Sequence, residues 1–315
     1  MDISVVVPSY NEAESLPELF AWIDRVMKSH HFDYEIVVVD DGSTDDSWSV
    51  IQKLTSTYPT IKGVQFRRNY GKSAALNVAF QKVQGDVVIT MDADLQDSPD
   101  EIPALYDLIM KEGYDLVSGW KKKRYDPITK TIPTKLYNWA ARKASGIYLH
   151  DFNCGLKSYR KAVVKNIEVY GEMHRYIPIL AKRAGFNKIT EKVVIHQSRK
   201  FGVSKFGIER FINGFLDLMT VTFVSRFGKK PMHFFGVLGT LMFLLGFMLF
   251  AYIGGEKIVF IVKGIEATNI AFKSGFYIAL TSMIMGLQLF LAGFLGEMIS
   301  RNAHDRDVYH IEQEV

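Results

Sequence analysis

The sequence predicts an α/β protein, with a mostly parallel sheet covered by helices on both faces and two apolar spans near the C-terminus. Three observations predict it. Short β-branched runs alternate with stretches of helical apolar spacing through the first 120 residues. Those runs are nearly continuously apolar, as strands buried on both faces must be. Two stretches, 233–253 and 275–296, contain no Asp, Glu, Lys or Arg, and each exceeds the ~20 residues a helix needs to cross a bilayer core.

The elements follow in order. "ISVVVPS" (3–9) reads as a buried strand. "SLPELFAWIDRVMKS" (15–29) is a helix, with Leu16, Leu19, Ile23 and Val26 on one stripe. "YEIVVVDDGS" (34–43) is the second strand and "DDSWSVIQKLTSTYP" (45–59) the second helix, with Pro59 just past its end. "IKGVQFRR" (61–68) and "KSAALNVAFQKV" (72–83) form the next strand and helix. "GDVVITMDAD" (85–94) is the fourth strand. "SPDEIPALYDLIMKEG" (98–113) is a helix with Ser98 as N-cap, Pro99 at its first position and Gly113 at its end. "YDLVSGW" (114–120) is the fifth strand. Strands joined through helices make βαβ units and hence a parallel sheet.

Composition narrows the function. A net charge of +4 over 315 residues argues against a nucleic-acid partner. Cys154 is the only cysteine, so no intrachain disulfide forms, which suits a reducing compartment. The start, "MDISVVVPSYNE", has no basic region or cleavage site and reads as a strand rather than a signal peptide.

In a parallel sheet ligands bind at the carboxyl ends of the strands. Here those tips read "PSYNE" (8–12), "DDGSTDD" (40–46), "RRNYGK" (67–72), "DADLQD" (92–97) and "GWKKKR" (119–124). None matches a glycine-rich phosphate loop, so a divalent cation held by carboxylates is the expected way to meet pyrophosphate charge. On an extended backbone Asp92, Asp94 and Gln96 share one face and present three oxygens, a donor set for Mg²⁺ or Mn²⁺. Asp97 and Asp100 fit a second role, as acids at a helix start. Asp40 or Asp41 is positioned to accept N–H groups of a nucleobase, with Asp45 and Asp46 as capping acids. Tyr10 offers a ring for packing, and Glu12 a hydroxyl or base contact, or else a helix-start acid.

V-P-S-Y-N-E, V-D-D-G-S-T-D and D-A-D-L-Q-D, in this order and spacing, resemble the family 2 glycosyltransferases of the Rossmann-like GT-A fold. The resemblance spans roughly residues 2–205. With two C-terminal spans it is closest to the polyprenyl-phosphate glycosyltransferases, of the dolichyl-phosphate mannose synthase and bactoprenol glucosyltransferase kind. It implies donor binding through Pro8, Tyr10, Glu12, Asp41 and Asp92, with Asn69 and Lys72 near the donor. It implies metal binding through Asp92, Asp94 and Gln96.

A lipid-phosphate acceptor needs cations near its head. "SRKFGVSKFG" (198–207) sets Arg199, Ser204 and Lys205 around a Gly202 turn, a layout suited to phosphate oxygens and similar to the family's R-x-x-G-x-S-K stretch. Arg124 in "GWKKKR" is a further candidate where the family often has an arginine beside the position of Trp120. "DFNCGLKSYRK" (151–161) resembles the acceptor-side segment, with Asn153 and Arg160 near substrate, although Arg160 also suits a purely structural pair. His174 and Arg175 of "EMHRYIP" fall in the same region, and His174 reads as structural.

The expected organisation is a catalytic domain over 1–205, an amphipathic interfacial segment over 206–232, a hairpin over 233–296 and a tail over 297–315. Arg226, Lys229, Lys230, Arg301 and Arg306 flank the spans, against Lys257, Lys263 and Lys273 in the intervening loop. That bias places both termini and the catalytic domain in the cytoplasm, at the inner membrane.

The expected reaction is inverting displacement at the anomeric carbon by a lipid phosphate oxygen. That phosphate is already ionised, so no strong base is required. A processive polysaccharide synthase is disfavoured: it would carry Q-x-x-R-W and more spans. A membrane-anchored nucleotide-sugar sensor is the non-enzymatic alternative. The expected donor is UDP-glucose, with GDP-mannose second, and the expected acceptor is undecaprenyl or dolichyl phosphate. Neither span holds G-x-x-x-G, and a two-helix anchor suits association into homo-oligomers.

Overall fold

The computed structural model describes residues 1–122, 138–139, 141–143, 145–171, 173–197, 227, 230–266 and 269–301. The chain forms two compact units, Met1–Val221 and Thr222–Val315. Most of the interfacial segment expected over 206–232, and the tail from residue 302, lie outside the described residues.

The first unit is built on seven strands: β1 (Ile3–Ser9), β2 (Tyr34–Asp40), β3 (Ile61–Gln65), β4 (Val87–Thr90), β5 (Leu116–Trp120), β6 (Lys157–Arg160) and β7 (Ile189–Val193). Their order across the sheet is β3-β2-β1-β4-β6-β5-β7. All pairings are parallel except those of β6, which runs antiparallel to both β4 and β5. The helices are α1 (Leu16–Ser29), α2 (Ser47–Thr57), α3 (Lys72–Lys82), α4 (Ile102–Met110), α5 (Lys161–Lys165) and α6 (Ile177–Arg183).

The two faces of the sheet bury separate apolar layers. Along β1, Val5 and Val7 join Leu16, Leu19 and Ile23 of α1 and Leu105 of α4. Val6, pointing the other way, joins Ala75, Leu76 and Phe80 of α3 and Tyr176. That two-sided cover is why β1, β2 and β4 are nearly all apolar.

The strands expected over 34–43 and 61–68 stop at Asp40 and Gln65, and two further elements differ more. The fourth strand stops at Thr90 instead of running to Asp94, because residues 92–96 form a turn. There Leu95 adopts φ +59°, and the Gln96 amide donates to Asp94 Oδ1 at 3.2 Å. The helix expected over 98–113 is divided into a 3₁₀ turn, Pro99–Glu101, followed by α4. Ser98 caps that turn by accepting from the Asp100 amide, and Gly113 at φ +76° lies three residues beyond α4.

One buried polar knot ties β1, β2, β3 and the approach to β4. Glu35, 1% exposed, accepts from Ser4 Oγ at 2.6 Å, from the Gln84 amide at 2.6 Å and from Lys62 Nζ at 2.7 Å. Burial favours its protonated form. The bonds from Lys62, Ser4 and Gln84 outweigh this and hold its pKa below the ordinary value.

The second unit is a pair of helices, α7 (Pro231–Val262) and α8 (Ser274–Arg301). Both are long and apolar enough to cross a membrane, with mean hydropathy 2.3 and 2.0. They extend past the expected 233–253 and 275–296 because the helical backbone continues into the flanking polar residues. Small residues bring them together. A Cβ on Gly239 would stand 2.6 Å from the Gly286 carbonyl oxygen, and one on Gly246 2.7 Å from that of Ala279. Ser282 Oγ adds a bond to the Met242 carbonyl at 2.9 Å. Leu, Phe, Met and Ile side chains such as Leu245, Phe247, Met248, Ile278 and Leu287 are left exposed.

Glu35→Ala is expected to cost about 2 kcal/mol, because Ser4, the Gln84 amide and Lys62 lose their acceptor together. Unfolding followed by tryptophan fluorescence measures it. The depressed pKa of Glu35 means that its stabilisation is complete above about pH 4.3 and is lost as pH falls through the lower folded value. Glu35→Gln should flatten that acid limb.

Candidate active site

Pro8, Tyr10, Glu12, Asp40, Asp41, Asp92, Asp94 and Gln96 lie at or just beyond the carboxyl ends of β1, β2 and β4. The first two tips are stitched together by side chains that sequence alone reads as ordinary loop polars. The Asn11 amide donates to Ser43 Oγ at 2.9 Å, the Thr44 amide to Asn11 Oδ1 at 2.8 Å and the Glu12 amide to Ser47 Oγ at 2.9 Å. Glu12 accepts Ser15 Oγ at 3.0 Å, so its carboxylate serves the start of α1. Tyr10 is 37% exposed at the same tip. Asp45 accepts from the Ser47 amide at 3.0 Å and is a helix-start acid, as expected; Asp46 occupies the N-cap position of α2 without a side-chain bond.

Asp40 and Asp41 have different jobs. Asp40 is fully buried. Its Oδ1 accepts from the Ser43 amide at 3.2 Å and from the Ser43 hydroxyl. Its Oδ2 has no hydrogen-bond partner among the described residues, and neither has Ser9 Oγ, its register neighbour on β1. Asp41 accepts from the amides of Tyr70 at 2.7 Å and Gly71 at 2.9 Å. Burial raises its pKa, and those two bonds only partly offset this. Asp41 therefore fixes the loop that carries exposed Asn69 and leads into Lys72 at the start of α3.

Beyond β4, Asp92 is the centre of the arrangement. It forms a close ion pair with Lys72, each side chain about one third exposed at 32% and 33%. Burial works against its ionised form, but the Lys72 ammonium outweighs it, with Lys121 and His174 adding, and the pKa lies well below the carboxylate range. The segment before β6 presses on it from the other side. A Cβ at Gly155 would fall within 2.8 Å of both Asp92 carboxylate oxygens, so a side chain there would force the carboxylate to shift. Thr90 Oγ1 holds that segment by donating to the Gly155 carbonyl at 2.9 Å. Pro8, Lys72, Asp92, Asn153, Lys157 and His174 line one cleft. Asn153 is exposed, with its amide donating to Asp151 Oδ1 at 3.1 Å.

Asp92, Asp94 and Gln96 do not share a face of an extended strand; the turn at Leu95 brings them into one short segment instead. Asp94 is 9% exposed. Two carboxylates and an amide suit a hard divalent cation, and the Gly155 cradle keeps one of those carboxylates fixed beside the cleft. Among the described residues no three His, Cys, Asp or Glu side chains form a metal group. A cation here would take its remaining ligands from Gln96, phosphate oxygens and water.

Asp97 corrects the sequence reading. It is not a helix-start acid. It is 1% exposed and pairs with Lys121 Nζ at 2.8 Å. Burial opposes the charge of Lys121, but Asp97 overrides it and raises its pKa. Lys121 is thus committed to the interior and is not a free loop cation. Next to it the Trp120 ring stacks on His150 with centroids 4.1 Å apart at 12°, and His150 is bound by Glu191. Arg160 lies at the wrong end of the sheet, opposite Val87, where its Nε donates to the Tyr114 carbonyl at 3.1 Å. Arg124, Arg199, Ser204 and Lys205 lie outside the described residues.

Three residues near Asp92 carry no sequence signal of their own. Lys157 is 3% exposed on β6 and donates to the Cys154 carbonyl; burial lowers its pKa. Thr90 and Gly155 act through packing. His174 and Arg175, by contrast, were marked by the "EMHRYIP" stretch. The His174 backbone amide donates to Ser73 Oγ of α3 at 3.0 Å.

A mostly parallel sheet with an acid-bearing turn after its fourth strand, and one antiparallel strand delivering a second loop to that turn, is the arrangement of the GT-A fold. The chain belongs to the family 2 glycosyltransferases: the family model Glycosyl transferase family 2 matches residues 4–168. It is 33% identical over 310 residues to the dodecaprenyl-phosphate galacturonate synthase of Rhizobium johnstonii, covering 98% of this chain and 90% of that one. It is 35% identical over 305 residues to the undecaprenyl-phosphate 4-deoxy-4-formamido-L-arabinose transferase of Pseudomonas syringae pv. syringae, covering 96% and 87%. The fold matches the glucosyl-3-phosphoglycerate synthase of Mycobacterium tuberculosis, crystallised with Mn²⁺, UDP-glucose and phosphoglyceric acid. That match has a TM-score of 0.54 at 20% identity and covers 71% of this chain and 79% of that one.

Asp97→Asn is expected to destabilise the protein by about 3 kcal/mol, since it leaves the Lys121 ammonium buried without its counter-charge. The double variant Asp97→Asn/Lys121→Met should recover part of the loss. Chemical unfolding of Asp97→Asn, Lys121→Met and the double variant gives the coupling directly.

Proposed function

We propose that the protein transfers a sugar from a nucleotide sugar to the phosphate of a membrane polyprenyl phosphate. The observation that carries this reading is the near full-length relation to two transferases that differ in sugar but share a polyprenyl-phosphate acceptor. The two apolar helices suit a lipid acceptor. They serve as a hairpin in the cytoplasmic membrane, with the catalytic unit and both termini on the cytoplasmic side.

The donor lies across the tips of β1, β2 and β4. Tyr10 and Pro8 pack against the base, and Asp40 or Asp41 reads its N–H edge. Asn69 and Lys72 face the diphosphate. Asp92, Asp94 and Gln96 hold Mg²⁺ or Mn²⁺. When bound, the cation neutralises charge on the leaving diphosphate. Asn153 faces the acceptor side, and Arg124, Arg199, Ser204 and Lys205 bind the lipid phosphate. One acceptor oxygen attacks the anomeric carbon as the bond to the diphosphate breaks, with inversion. The acceptor is already anionic, so the protein's task is to orient two anions and offset their repulsion. UDP-glucose is the proposed donor.

The test uses the full-length protein in detergent with undecaprenyl phosphate and radiolabelled UDP- and GDP-sugars. Label should pass into the organic phase, with UDP-glucose the best donor. Label retained in water-soluble polymer, or no transfer with any donor, would overturn the proposal. Asp94→Ala should lower transfer by about 100-fold or more, in Mg²⁺ and Mn²⁺ alike.

A further inference from the structure

We propose that Lys72 is a stand-in cation: its ammonium occupies Asp92 in the free protein and is exchanged for the divalent cation that arrives with the nucleotide diphosphate. This rests on the metal reading above and assigns Lys72 a role beyond contact with the donor.

Three features of the structure lead there. First, the Lys72–Asp92 pair is direct and both side chains are about one third exposed, so water and ions reach it. Second, the two partners differ in how closely they are packed. Asp92 is backed by Gly155 so closely that no Cβ fits between them, and the Gly155 carbonyl is itself held by Thr90. Lys72 projects from the first residue of α3 on a four-carbon stem, and its backbone is anchored just upstream where Asp41 takes the Tyr70 and Gly71 amides. The lysine head can swing while helix and carboxylate stay in place.

Third, the charge balance opposes a bare cation. Among the described residues that line the cleft, Lys72, Lys157 and Arg175 stand around Asp92 as the one carboxylate; Lys121 nearby is balanced by Asp97. A free divalent ion entering while Lys72 remains meets net repulsion. One that arrives with a diphosphate brings compensating negative charge. The diphosphate also gives the displaced ammonium a new partner, which a carboxylate-only site lacks. The exchange therefore makes metal and nucleotide bind with positive coupling, and by linkage each raises the affinity for the other equally.

The experiment measures Mn²⁺ binding to the full-length protein in detergent, from the EPR signal of free Mn²⁺, with and without UDP. Wild type should bind Mn²⁺ weakly alone and at least about tenfold more tightly with UDP. Lys72→Gln should bind Mn²⁺ alone about tenfold more tightly than wild type, and the benefit of UDP should shrink. Lys72→Arg keeps the charge and should behave as wild type. Lys72→Met gives the same reading as Lys72→Gln should the latter fail to melt cooperatively. If Lys72→Gln and Lys72→Met bind Mn²⁺ alone no better than wild type while all bind it with UDP, the stand-in role is overturned and the metal site stands. If no form binds Mn²⁺ even with UDP, the metal reading itself falls and takes this inference with it. Asp92→Asn, which should lose Mn²⁺ binding under both conditions, checks that the signal comes from this site.

Discussion

The antiparallel entry of β6 between β4 and β5 is the constraint on which the candidate site depends. A parallel strand delivers its trailing loop to the carboxyl end of the sheet. An antiparallel one delivers its leading loop. Because Lys157 pairs with Thr90 while Arg160 pairs with Val87, the chain before β6 arrives at the tip of β4, and Gly155 comes to rest against Asp92. The segment before β6 and the acids after β4 are thus brought together by strand polarity. Arg160, only three residues beyond Lys157, is carried to the far end of the sheet for the same reason.

Charge is arranged around this contact before any substrate arrives. Asp92 has Lys72; Asp97 has Lys121; Glu35, deeper in the sheet, has Lys62. The three pairs differ in burial and so in meaning. Asp97 is almost fully enclosed, and its lysine is committed to the fold. The Asp92 pair opens to the cleft. A paired carboxylate left accessible keeps its geometry without the cost of a bare buried charge, which is what preorganisation for a cation requires.

Much of this architecture was legible in the sequence. The β-branched runs located β1 to β5 because strands buried on both faces are apolar throughout, and Leu16, Leu19, Ile23 and Val26 are buried on α1 as their spacing implied. β6 escaped notice because "KSYR" has no apolar run: Lys157 and Ser158 are buried polar residues whose place is set by tertiary contacts. β7, "ITEKV", is an edge strand with only partial burial. The acids of "DADLQD" were marked as a cluster, but their division was not. A left-handed Leu95 and a lysine 24 residues downstream of Asp97 decide that Asp94 turns with Gln96 while Asp97 goes inside. Neither event leaves a local pattern. The two acids of "VDDG" are equivalent by composition, and only the position of the Tyr70–Gly71 amides separates them.

The hairpin shows the same dependence on pairwise geometry. Neither span carries G-x-x-x-G, yet glycines on the two helices still meet. Gly239 lies against Gly286, and Gly246 against Ala279, so each helix supplies half of a contact that a single-helix motif would not reveal. These small residues are used within the chain, where close backbone approach and the Ser282–Met242 bond replace the hydrophobic driving force that lipid cannot provide. The outward faces are left to Leu, Phe, Met and Ile. Gly239, Gly246 and Gly286 are covered within the chain, so those three glycines are not open to a second copy of the hairpin.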